Sequence, residues 1–114
     1  IDQRLIQALF VAQEWEESKT TTGEARKSSV NAHAVARESS DPVVTAIARS
    51  VGHAVATAHM ADHSVGAALH ARKALKYSGK SADAERQWQI EQLPLQIKGI
   101  ILMVMEEKEK YFKI

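Results

Sequence analysis

A chain of 114 residues, 45% apolar but only 5% aromatic, makes about one domain, and a chain of that size buries roughly two-thirds of its unfolded surface around a single modest core. The formal charge of +1 excludes a strongly acidic or basic binding mode for the chain as a whole, and zero cysteines exclude disulfides and thiolate metal sites. The longest apolar run, Gly99 to Met105, is far short of the ~20 residues a membrane span needs, and no signal peptide is visible, so a cytoplasmic location is expected.

Charge is unevenly spread. Residues 41–80 carry two acids against five bases, while each flanking third holds six acids and five bases. That middle third lacks the basic stripe with interleaved aromatics that nucleic acid requires, so no nucleic-acid partner is expected. Alanine is the commonest apolar residue, and small side chains stabilise a fold only where helices approach closely over long contacts. With two prolines and five glycines, the expected class is all-α, a single-domain bundle of about five to six helices over residues 1–114. Ile1 in place of methionine implies an upstream segment.

In chain order, Asp2 caps a first helix at about 3–18, with Leu5, Ile6, Leu9, Phe10 and Ala12 as its apolar stripe and Trp15 near its end. Thr21 or Thr22 caps a second helix over about 24–39, where Ala25, Ser29, Ala32 and Ala36 form a small-residue face with His33 beside it. Asp41-Pro42 is a strong start signal, because proline at the first helical position loses no hydrogen bond. The third helix runs to about His59 with Val44, Ile47, Ala48, Val51, Val55 and Ala58 inward, and Met60–Asp62 forms a corner. The fourth covers about 63–77 with Val65, Ala68, Leu69 and Leu75 inward, and stops at Gly79.

Ser81 caps a fifth helix, in which Trp88 is read as a core anchor and Glu85 as paired with a nearby base. Leu93-Pro94 ends it. The last helix, about 95–112, is apolar nearly all round through GIILMVM, so it is central or covered by another subunit, with Ile100, Ile101 and Val104 as the residues of a homo-oligomer contact. Its tail, Glu106 to Lys110, reads as a solvated charge run.

Four of the five histidines (His53, His59, His63, His70) fall between Val51 and Leu75. His59 and His63 are four apart, but the sequence between them lacks the glutamate of a zinc-protease helix, and the corner separates them. They read first as hydrogen-bonding residues between helices; a metal or acid–base site of His59, His63 and Glu85 is the alternative. The chain has no nucleophile turn, oxyanion loop or phosphate-cradling glycine loop, so neither a catalytic set nor a cofactor is expected. Glu85, Arg86, Trp88 and Gln89 form a polar cluster that would serve a partner patch.

Two segments carry a family pattern. Gly52-His53-Ala54-Val55-Ala56-Thr57-Ala58-His59, with His63, Gly66-Ala67-Ala68 and Lys73-Ala74 after it, resembles the central signature of the immunity-5-like family of bacterial immunity proteins. Glu85-Arg86-x-Trp88-Gln89 with Leu93-Pro94 resembles that family's C-terminal motif, and Asn31 to Arg37 its preceding helix. The likeness covers about residues 12–98. This chain departs from it at His53, where members carry glutamine or a similar residue, and near His70, where they carry an aromatic one. The resemblance implies a small helical protein that binds and neutralises a toxin, with His53, His59, His63, Glu85, Arg86, Trp88 and Gln89 as the binding set and no enzymatic turnover.

Overall fold

The computed structural model describes residues 1–57 and 63–112, and among these residues it has six helices: α1 (Gln3–Glu16), α2 (Thr22–Glu38), α3 (Pro42–Ala56), α4 (His63–Tyr77), α5 (Ala82–Glu91) and α6 (Leu95–Phe112). The capping signals act as written. The side chains of Asp2, Thr21, Asp41 and Ser81 each accept from a backbone N–H in the first turn of the helix that follows, satisfying donors that the helix itself leaves unpaired. Gly79, at φ +78°, closes α4: its N–H reaches the Lys76 carbonyl and the Lys80 N–H reaches that of Leu75. α1 ends in the same motif two residues before the expected stop, with Ser18 at φ +60° in the place glycine usually takes. No glycine marks that end, so no stop signal is visible there.

α3 is the central element, packed most extensively on α4 and α2, with α1 lying across α2 and α3. The main core is small-sided: Leu5, Ala8 and Val11 of α1 meet Ala25, Ala32, Val35 and Ala36 of α2 and Ala48, Val51 and Val55 of α3. A second cluster, Val65 and Leu69 of α4 with Met105 of α6, is flanked by Ile90, Leu93, Ile101, Val104 and Phe112. Close approach is reinforced by hydroxyls that cross helices. Ser29 donates to the Gly52 carbonyl at 2.9 Å and Ser50 to the Ala67 carbonyl at 2.8 Å.

Three expectations are corrected. The α1 stripe buries Leu5, Ala8 and Val11, leaving Ile6, Leu9 and Phe10 about half exposed, because α2 and α3 cover only one side of it. Ile47 of α3 is 42% exposed rather than inward. α6 is peripheral: it packs on α4, buries Met105 fully, and exposes Ile97, Ile100 and Met103. Of the three residues assigned to an oligomer contact, Ile101 and Val104 pack within the chain and Ile100 remains outside. The corner at Met60–Asp62 and the end of the third helix at Ala58 and His59 lie outside the described residues.

Candidate functional site

Glycines in mid-helix cost backbone entropy, so two of them facing rings on neighbouring helices mark a packing demand. A Cβ on Gly52 would stand 2.6 Å from His33 Nε2, and one on Gly66 would stand 3.1 Å from His53 Nδ1. The ring of His33 (α2) thus lies against the α3 backbone, and that of His53 (α3) against the α4 backbone. The imidazoles continue as a ladder. His33 meets His53 edge-on at 5.2 Å between centroids, His53 stacks on His70 at 5.0 Å and 11°, and Phe112 of α6 closes the row edge-on at 4.8 Å. Arg49 donates from Nη1 to Nδ1 of His33 at 2.6 Å, which requires that nitrogen to be unprotonated. Burial, followed by the nearby His53, Lys73, Arg49 and His33, pushes His70 down from 6.5 to about 4.

On the other side of α4, Gln89 donates from Nε2 to the Ala68 carbonyl and to Glu85 Oε2, both at 3.0 Å, fixing α5 onto α4. Trp88, one residue earlier, is 56% exposed. It lines an apolar hollow of about 300 Å³ with Val65, Ala68, Leu93, Ile101 and Met105. Arg86 donates from Nε to Glu109 at 2.7 Å, and Arg72, whose side chain is 3% exposed, gives a 2.5 Å bond to the same carboxylate. Burial alone would raise the Glu109 carboxyl; Arg86 and Arg72 outweigh it and hold it below the ordinary 4.5. Among the described residues, Nε and Nη2 of Arg72 have no hydrogen-bond partner.

The expected binding set therefore divides. His53 sits in the ladder between α2 and α4. Trp88 and Gln89 line the α4–α5–α6 hollow, together with Ser64, the residue after His63. Arg86 faces Glu109, and Glu85 lines a different hollow with Val51, Ala71 and Leu75 while accepting from Gln89. His59 lies outside the described residues, and of His63 only the helical backbone belongs to them, so the alternative metal set falls largely outside as well. Among the described residues no three His, Asp or Glu side chains group so as to hold a metal ion. The core reading of Trp88 is corrected by its exposure, and the base expected beside Glu85 is replaced by the amide of Gln89. The solvated reading of the 106–110 tail is corrected at Glu109, which is drawn in by two guanidiniums.

Sequence reasoning missed Arg72, Glu109 and the Arg49–His33 bond. A signal for the first existed: Val65, Leu69 and Arg72 follow one another at i, i+4 and i+7, which puts a guanidinium on the inward stripe. Among the described residues no helix is long and apolar enough to cross a membrane. Residues 1–96 match a family model described as Imm-5 like putative immunity protein. No curated protein and no solved structure matches the chain.

Proposed function

The chain belongs to the Imm-5 like family of immunity proteins, and from that premise we propose that it binds and neutralises a toxin domain made by the same or a competing bacterial cell. It acts as a stoichiometric binder in the cytoplasm rather than as an enzyme. The observation that carries the reading is Trp88, an indole 56% exposed at the edge of an apolar hollow. Exposed tryptophans beside apolar recesses are the residues that dominate interface energies when a partner excludes water from them. Arg86, on the same helix with its side chain 34% exposed, keeps N–H groups beyond those it gives to Glu109 and supplies a donor to a partner. Ser64 on the same hollow extends the surface to the start of α4, where His63 stands, and His59 precedes it in the chain.

The near-neutral net charge favours recognition by shape and apolar contact over the acidic, nucleic-acid-mimicking style of inhibitor. The test is co-expression with the toxin domain encoded beside the gene, followed by calorimetric titration of the purified pair. Trp88→Ala should weaken binding by about 30-fold or more, the usual weight of an interface tryptophan, with the helical circular dichroism unchanged. A complex that forms as tightly with Trp88→Ala as with the native chain removes this surface from the reading, and a toxin left active at equimolar protein removes the reading itself.

A further inference from the structure

A second hollow, of about 430 Å³, opens between the first two turns of α3 and the second half of α4. Its polar lining is Thr45, Arg49, His70, Lys73 and Tyr77, and Pro42 and Ala46 form an apolar wall. Among the described residues no carboxylate lines it. Asp41, one residue before Pro42, has its carboxylate on the Val43 N–H at 2.9 Å. Among the described residues the side-chain hydrogen bond of Arg49 goes to the uncharged Nδ1 of His33, so no carboxylate neutralises its charge there. Lys73 sits over the Phe112 ring, 5.7 Å from its centroid, a contact that leaves the ammonium charge in place. Among the described residues, two cations and an imidazole thus face one recess that no carboxylate lines.

We propose that this hollow is a binding site for a phosphate monoester, with the phosphate held by Arg49, Lys73 and His70 and the organic part against Pro42 and Ala46. A guanidinium fork matches two phosphate oxygens, an ammonium supplies a point charge, and the Tyr77 phenol adds a neutral donor. The recess falls in the size range of small-molecule clefts and far exceeds a bare phosphate ion, which is why a monoester is assigned. His70 makes the site proton-linked. The groups facing it are His53 and Arg49 of α3, His33 of α2, Lys73 of α4 and the uncharged Phe112 of α6, and all four titratable neighbours disfavour its protonation. A bound dianion reverses that balance and raises the His70 pKa. The complex therefore takes up a proton as pH falls toward the raised His70 value, and affinity gains from that uptake.

The test is a titration of the full chain with phenyl phosphate, inorganic phosphate and benzenesulfonate, read by calorimetry and by the His70 ring signals in NMR. Phenyl phosphate should bind tightest, shift the His70 ring, and raise the pH at which that ring titrates. Arg49→Gln and Lys73→Gln should each weaken it by about tenfold, the weight of one charge-assisted hydrogen bond, and Lys73→Arg should retain it. His70→Gln should keep binding but abolish the pH dependence. Should a variant fail to fold, the His70 shift in the native chain decides alone. Inorganic phosphate binding as tightly as the ester overturns the monoester assignment. Benzenesulfonate binding as tightly as phenyl phosphate, or no His70 shift at millimolar phenyl phosphate, overturns the site. It shares no residue with the Trp88 hollow, so either reading can fail without the other.

Discussion

At the scale of single residues, the bundle is set by pairs of one glycine and one ring. Alanine in place of Gly52 would gain about 0.5–1 kcal/mol of helix propensity, yet its methyl would fall within 2.8 Å of three atoms of the His33 ring. Overpacking of that kind costs about 1–3 kcal/mol, so the clash wins. Gly52→Ala should therefore lower stability in urea unfolding, whereas the same change in a His33→Ala background should raise it. A destabilising Gly52→Ala in both backgrounds would mean that the ring is not what the glycine accommodates. The sequence made the histidine-rich stretch conspicuous but placed its bonding at the 59–63 corner. A glycine in a helix says only that a neighbour is close; which ring fills the gap depends on a residue nineteen positions away, as His33 is from Gly52. Trp88 misled for the opposite reason: its size argues for burial, but it sits on α5, a helix with no fully buried residue, and stays outside.

At the scale of elements, α6 is held to α4 by Met105 and by one carboxylate. Glu109 neutralises the buried Arg72 and reaches Arg86 as well. Removing one member of a buried ion pair strands the other charge, at about 3–5 kcal/mol, whereas an apolar substitute of similar size is close to neutral. Glu109→Gln should therefore destabilise strongly, Arg72→Met mildly, and the double variant should recover most of the loss, all read from chemical denaturation midpoints. The native pair also gives an acid signature. Because the Glu109 carboxyl lies below 4.5 in the folded chain, its contribution is present above that pH and is lost as pH falls through the lower, folded value. Equal losses for Glu109→Gln and Arg72→Met would show that packing rather than charge holds α6. The bounds of α4 and α6 were legible to the residue, because Gly79 and Pro94 punctuate them. The place of α6 was not. A helix apolar all round is compatible with the centre or the edge, and the two guanidiniums that draw in its tail lie on α4 and α5.

At the scale of the whole molecule, the two apolar clusters are unequal. The larger joins α1, α2 and α3; the smaller rests on Val65, Leu69 and Met105. Amide protection follows buried contact, so exchange should be slowest in α2 and α3 and faster in α5 and α6, with hydrogen exchange followed by mass spectrometry as the check. Uniform protection through α6 would contradict this hierarchy. The all-α class was legible from cap spacing and apolar period alone, since the starts of α1, α2, α3 and α5 carry Asp, Thr or Ser in register. The mutual placement of the helices was not, because alanine faces fit one another at many offsets. Here the seat at Gly52 removes that freedom. Sliding α3 by one turn, about 5.4 Å, would bring Ala48 or Ala56 under the His33 ring, and either carries the methyl that Gly52 lacks. A surface greasy enough to glide is thereby given a single notch, and a mis-slid intermediate meets collision instead of a shallow rival minimum.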